Sequence, residues 1–179
     1  KRHIAALRQR IDAVREAGET IPEVDLLPMD ANELVHRECG WLSEGSNRRA
    51  VMFLDPYGMQ VEWTTLCAVA ATPGIDLWLL LPTGIAVNRL VPWKRQQHPL
   101  WAQRLDAFYG SGDWRRAFME TDRDMLGAER QTRSSELDEI VRFTISRLQS
   151  LFGEGLYPEA LPLKSGRKQA YHHIFANSS

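Results

Sequence analysis

One acidic residue stands where a buried strand is predicted to end. Residues 50–54 are all apolar, and Asp55, Pro56, Tyr57 and Gly58 follow them. An apolar run without polar alternation is typical of a strand buried on both faces inside a parallel sheet. In open α/β sheets, ligands bind just beyond the carboxyl ends of the strands, so we expect Asp55 to point into a ligand groove. A carboxylate there can accept hydrogen bonds from a substrate and orient it.

A second acid, Asp30, follows the segment 22–29, which is predicted to be a short strand. Two roles are open to Asp30. It can cap the helix that follows, because an aspartate oxygen accepts unpaired backbone N–H groups there, and this interpretation is favoured. It can also contact a ligand in the same groove as Asp55. A metal held by Asp30 and Asp55 for phosphodiester hydrolysis ranks last, because that chemistry needs more acids than two.

The elements around Asp55 form a predicted strand–helix–strand unit. Residues 59–71 predict a helix, which ends at Pro73 and Gly74. Residues 75–81 are a second continuous run of mostly apolar residues and predict another strand. A βαβ unit of this kind places its two strands parallel, with a right-handed crossover.

Helices are also predicted towards both ends of the chain. Residues 2–17 carry apolar residues at steps of three and four and stop at Gly18. The arginines of this helix are interpreted as a solvated face without a functional role. Residues 135–152 predict the longest helix, which begins with Ser135 and Asp138 in a capping pattern.

The remaining segments predict an insertion and a terminal hairpin. Between the βαβ unit and the long helix, residues 88–130 are interpreted as a helical insertion over the ligand edge of the sheet. It contains a helix over 99–109 and a second short helix capped by Asp113. The strand-like runs 156–163 and 169–176 are joined by a short Ser-Gly link, so we expect them to pair antiparallel.

The composition is that of one ordinary globular domain. The chain has 179 residues, of which 44% are hydrophobic and 25% charged, and a net charge of −1. No apolar run approaches the roughly 20 residues of a membrane span, so we expect a cytoplasmic protein without membrane contact.

Cys39 and Cys67 form no metal-binding or disulfide pattern and are expected to be buried. Lys1 begins inside a helical pattern and Ser179 follows a strand, so we expect a fragment covering 1–179 as a single domain.

Five separated segments resemble one known family. They are FLDPYGMQVEWTTL, IDLWLLLPTGIAVNRL, PLWAQRLDAFYG, GDWRRAF and YHHIFANSS. Together they are similar to the three-Cys-motif partner proteins (TcmP), a bacterial and mobile-element family with a methyltransferase-like core. The resemblance covers nearly all of the chain. It implies an α/β fold with a Rossmann-like, methyltransferase-type sheet, mostly parallel with an antiparallel C-terminal hairpin, plus the helical insertion.

The resemblance also implies a cofactor, S-adenosylmethionine. In that fold a glycine-rich loop after the first strand holds the cofactor, and this loop does not occur among the 179 residues. Asp30 matches the acid after the third strand, which lies near the adenine. The strand order implied is 3-2-1-4-5-7-6, so the segment 22–29 and the strand 50–54 would be separated by a gap in the sheet or would pair differently.

The resemblance assigns further site residues. Asp55 and Pro56 match the start of an Asp-Pro-Pro-Tyr motif that holds a target amine, but Tyr57 stands at the third position instead of the fourth. This departure puts base stacking by Tyr57 in question. Asn88 and Arg89 match a family Asn-Arg pair, and the arginine could clamp a carboxylate or phosphate of the substrate, although a structural ion pair is an equal alternative.

Two classes of function follow from the resemblance. The first is a methyltransferase in which Asp55 orients the substrate, with nucleic acid as a possible substrate. The second is a non-enzymatic module that binds a three-Cys-motif protein encoded nearby.

His172 and His173 alternate on a strand, so one of them should face the core, and a structural role is favoured over a catalytic one. The tryptophans at positions 63, 78, 101 and 114 are expected in the core.

Overall fold

The protein is a mixed α/β structure in the computed structural model, which describes residues 2–45, 47–56, 59–83, 90–91, 98–123, 129–165 and 168–178. The helices are α1 (Arg2–Glu16), α2 (Ala31–Ser43), α3 (Trp63–Ala71), α4 (Pro99–Tyr109), α5 (Trp114–Phe118) and α6 (Leu137–Phe152). The strands are β1 (Ala50–Leu54), β2 (Ile75–Leu81), β3 (Met119–Arg123), β4 (Glu129–Arg133), β5 (Leu161–Ser165) and β6 (Lys168–Ser178).

Four strands form the main sheet in the order β1-β2-β6-β5. β1 and β2 are parallel and are joined through α3, so the predicted βαβ unit is confirmed. β6 lies antiparallel to both β2 and β5, which confirms the terminal hairpin. The prediction of a mostly parallel sheet is wrong for the described residues, because two of the three strand pairs are antiparallel. A helical crossover joins β1 to β2 and makes that pair parallel. The hairpin of β5 and β6 gives an antiparallel pair, and β6 also lies antiparallel to β2.

The helices that the structure describes cover one face of this sheet. Along β2 the buried residues are Ile75, Leu77, Leu79 and Leu81, and they alternate with half-buried ones. α3 and α6 contact the strands on the buried face. We call the other side, which carries Val51, Phe53, Trp78, His173 and Phe175, the open face.

The prediction that β1 is buried on both faces is wrong. Val51 is 73% exposed and Phe53 is 57% exposed, whereas Leu54 is buried. β1 is an edge strand among the described residues, and its outward side chains lie on the open face. An apolar run therefore indicated the strand correctly but not its surroundings.

The predicted strand over 22–29 does not form. The segment runs without strand pairing up to α2, and Val24 and Leu27 are 41% and 44% exposed. A strand needs a neighbour to take up its backbone hydrogen bonds, and no described segment provides one here.

The boundaries of two helices differ from the predictions. α3 begins at Trp63 instead of Met59, because the chain makes a turn first. α6 begins at Leu137 with a capping box formed by Glu136 and Glu139, not by Ser135 and Asp138. The Ser135 hydroxyl instead donates to the carbonyl of Ala117 and so ties α5 to the start of α6.

The insertion is not wholly helical. α4 ends at Tyr109 as predicted, and Gly110 adopts the left-handed conformation that terminates it. Asp113 precedes α5 but makes no side-chain cap; it accepts a hydrogen bond from the Ser111 hydroxyl instead. β3 and β4 then form an antiparallel hairpin that extends to Arg133 and that the sequence did not predict.

An aromatic core joins the insertion to α6. Tyr109, Trp114 and Phe118 are almost completely buried, and Phe143 of α6 contacts two of them with edge-on ring geometry. The Tyr109 hydroxyl shares a hydrogen bond of 3.0 Å with Thr144, and burial raises the pKa of the tyrosine well above its usual value. Trp114 is thus a core residue as predicted, whereas the tryptophans at positions 63, 78 and 101 are half-buried.

The cysteines also differ in their surroundings. Cys39 is buried as expected, and burial raises the pKa of its thiol, while Cys67 is only half-buried. In the parts of the chain that the structure covers, no helix combines the length and the apolar character that crossing a bilayer requires.

Candidate functional site at the end of strand β1

The Asp55 side chain lies at the surface directly after β1. Asp55 is exposed, and the neighbouring Pro56 is buried. Among the described residues, no hydrogen bond or ion pair to the Asp55 carboxylate is found. The carboxylate is thus at the surface of the described part of the chain, and its role in binding a substrate stays a prediction.

Met59 lies close to the end of β1 and has an unusual backbone conformation. Met59 has a positive φ of 63°, which is unusual for a residue other than glycine, and its side chain is buried. Its backbone N–H donates to the carbonyl of Pro56 over 3.3 Å. This hydrogen bond uses one of the two lone pairs of the Pro56 carbonyl oxygen.

Asn32 brings the start of α2 to the loop that follows β1. Its amide nitrogen donates to the carbonyl of Gln60 over 3.1 Å. Its amide oxygen accepts from the backbone N–H of Glu62 at 3.0 Å and from the buried Thr65 hydroxyl at 2.8 Å. Asn32 therefore fixes the starts of α2 and α3 at the edge of the sheet where Asp55 lies. The sequence did not predict this role of Asn32. The one signal for it was the position of Asn32 two residues after the predicted helix cap, Asp30.

Asp30 caps α2. Its Oδ1 atom accepts a hydrogen bond of 2.8 Å from the backbone N–H of Asn32, and its backbone is extended, as is usual for an N-cap. The favoured interpretation is confirmed. The cofactor contact stays a prediction for Asp30, as do the roles of Tyr57, Asn88 and Arg89, which lie outside the described residues.

A buried polar pair lies at the end of the neighbouring strand, β2. The hydroxyl of Thr83 and Nδ1 of His172 are 2.8 Å apart, and both residues are buried. Burial lowers the pKa of His172, and the charge of Asp138 partly opposes this shift. His173 is half-buried on the open face, so the prediction that one histidine of the pair faces the core is confirmed. The hydrogen bond with Thr83 supports the structural role that the sequence favoured for His172.

A well-formed groove lies away from Asp55. A groove of about 670 Å³ is bounded by α6, by the segment 158–160 and by His172. It does not include Asp55. Within the described part of the chain, no group of three or more His, Cys, Asp or Glu side chains is arranged to hold a metal ion.

Comparison of the chain with protein-family models, with curated proteins and with solved structures gives no match. The function of the chain is therefore inferred from its geometry and from the resemblance of the five sequence segments.

Proposed function

We propose that the chain is part of a methyltransferase-like protein of the three-Cys-motif partner type, in which Asp55 orients a target amino group. The strand order carries this proposal. The order β1-β2-β6-β5, with β6 antiparallel to its neighbours, is the order and direction of strands 4-5-7-6 in the methyltransferase sheet. β1 then corresponds to strand 4, whose carboxyl end bears the substrate-binding acid.

The surroundings of Asp55 suit this role. Its carboxylate is exposed and can accept N–H hydrogen bonds from an amine, and the Pro56 carbonyl beside it can accept another. Two acceptors at fixed positions would point the nitrogen lone pair in one direction, which lowers the entropic cost of reaching the transition state. Asn32 supports the arrangement by holding the following loop in place.

The proposed cofactor, S-adenosylmethionine, would supply an electrophilic methyl group. Asp30 is the residue here that would contact it. One Asp30 oxygen is used by the helix cap, so a ligand would be bound by the other oxygen. Nucleic acid is the proposed substrate class, and Tyr57, Asn88 and Arg89 would provide its contacts.

Calorimetric titration of the full-length protein with S-adenosylmethionine tests the proposal. The expected result is saturable binding, with weaker binding when Asp30 is changed to Asn. A folded protein that gives no binding heat at several temperatures would overturn the methyltransferase proposal. Several temperatures are needed because the binding enthalpy can pass through zero at one of them.

A second candidate function is a non-enzymatic module that binds a three-Cys-motif protein. The open face favours it, because Phe53 and Val51 expose apolar surface that monomeric proteins usually cover. The substitution Asp55→Asn separates the two candidates. It abolishes methyl transfer under the first and leaves complex formation intact under the second.

A further inference from the structure

Arg147 of α6 joins the start of α3 to the end of α4. Its guanidinium lies over the ring of Trp63, the first residue of α3, 4.6 Å from the ring centroid. Its Nη2 atom donates a hydrogen bond to the carbonyl of Tyr109, the last residue of α4. We call Arg147, Trp63 and Tyr109 the arginine clamp. A single side chain of the clamp thus links three helices.

The clamp depends on the geometry of a guanidinium. This flat group can stack on an aromatic ring while its edge donates a hydrogen bond, whereas a lysine ammonium is a compact charge that can make only one of these contacts at a time. The Tyr109 carbonyl lies at the C-terminal end of α4, where carbonyls lack partners within the helix and a positive charge is favoured. The Nε atom of Arg147 is buried and makes no hydrogen bond to the described residues. Among those residues, the Trp63 ring and the Tyr109 carbonyl therefore hold the guanidinium in place.

The backbone beside the clamp allows the close approach of α3 and α4. Gly110 follows Tyr109 with a φ of +66°, and a Cβ atom there would overlap the Trp63 ring. The Tyr109 hydroxyl shares a hydrogen bond with Thr144, which also lies on α6. Tyr109 is thus tied to α6 through its backbone and through its side chain. A shift of the end of α4 along α6 would break both hydrogen bonds.

The clamp also holds the segment that leads from the candidate acid, Asp55, into α3. Asn32 of α2 bonds the backbone of Gln60 and of Glu62 in this segment. Trp63 follows Glu62 directly and lies in the clamp. The end of the segment is therefore fixed by α2 through Asn32 and by α6 through the clamp. Because the clamp includes the end of α4, it joins this segment to the insertion.

We propose that Arg147 is a positioning residue for the substrate. By holding the end of α4 against the start of α3, it sets where the insertion stands relative to Asp55, so that the insertion forms one wall of the substrate site. This inference rests on the proposed function. Arg147 does not touch the reacting atoms, so loss of the clamp weakens substrate binding and leaves the chemical step unchanged.

Hydrogen–deuterium exchange tests the clamp without reference to activity. Arg147→Lys keeps the charge but cannot make both contacts, so amides in 60–66 and 107–112 are expected to exchange about 5-fold faster or more. Amides in 75–81, within β2, should be unaffected. The matched control is Arg142→Lys, which changes an exposed arginine of the same helix and should leave all three segments unchanged. Unchanged exchange at 60–66 and 107–112 in Arg147→Lys, or an equal increase in Arg142→Lys, would overturn the proposal.

The kinetics of methyl transfer to nucleic acid by the full-length protein test the positioning role. Arg147→Lys is expected to raise KM about 10-fold while kcat stays within about 2-fold of wild type, and Arg142→Lys should match wild type. A merely structural role would instead reduce the folded fraction and lower the apparent kcat at constant KM. An unchanged KM in Arg147→Lys would therefore overturn the positioning role. Absence of transfer by folded wild type would overturn the proposed function and the positioning role together, and the exchange measurement would still decide whether the clamp exists.

Discussion

One neutral side chain, Asn32, makes more hydrogen bonds between the segments of the candidate site than the acids Asp30 and Asp55 do. Asp55 forms no hydrogen bond or ion pair with the described residues, and Asp30 bonds only within its own turn. Asn32 makes three hydrogen bonds to residues 28 to 33 positions away, so it couples segments that are distant in sequence. Among the described residues, a neutral amide and not the acids therefore joins the segments of the candidate site.

Replacing Asn32 should destabilise the protein more than replacing Asp30. Asp30→Ala removes one cap and should cost about 1 kcal/mol. Asn32→Ala removes three hydrogen bonds and leaves the buried Thr65 hydroxyl without its acceptor, so roughly 2–3 kcal/mol is expected. Urea unfolding of both variants measures the difference. The exposed Asn47→Ala serves as control and should change the unfolding free energy by less than about 0.5 kcal/mol. Equal losses at positions 30 and 32 would contradict this expectation.

His172 should make the stability depend on pH. Burial lowers its pKa in the folded protein below the usual value of 6.5, so the unfolded chain takes up the proton first as the pH falls. Its contribution to stability is complete above about pH 6.5 and declines below it, by at most about 1.4 kcal/mol per pH unit. Denaturation midpoints of wild type and His172→Gln between pH 5 and 8 test this. His173→Gln is the control and should keep the pH dependence; a wild-type slope retained in His172→Gln would refute the assignment.

At the scale of elements, local signals predicted well and long-range pairing did not. Gly110 ends α4 and the apolar run 75–81 forms β2, because both outcomes depend on the residues themselves. The segment 22–29 failed as a strand because its strand character depended on a neighbour. The hairpin of β3 and β4 is polar except for Met119, so no apolar alternation marked it in the sequence. The exposure of Val51 depended in the same way on which elements cover the sheet.

The junction of α3 and α4 gives an element-scale prediction. Gly110 has φ +66°, and a Cβ atom there would overlap the Trp63 ring. The ring also lies under the Arg147 guanidinium, 4.6 Å from its centroid, so it has little room to move. Gly110→Ala should therefore lower the unfolding free energy by about 1–3 kcal/mol. In the matched control, Gly40→Ala inside α2, nothing lies within 4 Å of the new methyl group, so a gain of up to about 1 kcal/mol is expected. An unchanged unfolding free energy in Gly110→Ala would contradict this tight packing between Gly110 and the Trp63 ring.

At the scale of the whole molecule, the sheet has one covered face and one open face. The continuous apolar run 75–81 predicted the strand β2 but not which of its faces is covered, because the alternation of buried and half-buried residues appears only in the structure. The position of Asp55 at the end of β1 was also predictable from sequence, since an apolar run followed by Asp-Pro marks the end of a strand. The strand order could not be derived from the residues, because it depends on pairings between segments about 100 positions apart. That order is the observation on which the proposed role of Asp55 depends.

In the proposed function, the exposed Asp55 carboxylate orients a substrate for methyl transfer. The most direct measurement is the turnover of labelled methyl from S-adenosylmethionine to nucleic acid by the full-length protein, comparing wild type with Asp55→Asn and with Asp12→Asn on α1 as control. We expect wild type and control to be active and Asp55→Asn to lose about 100-fold or more in kcat while its circular dichroism is unchanged. No transfer by folded wild type, or equal turnover in Asp55→Asn, would contradict the claim.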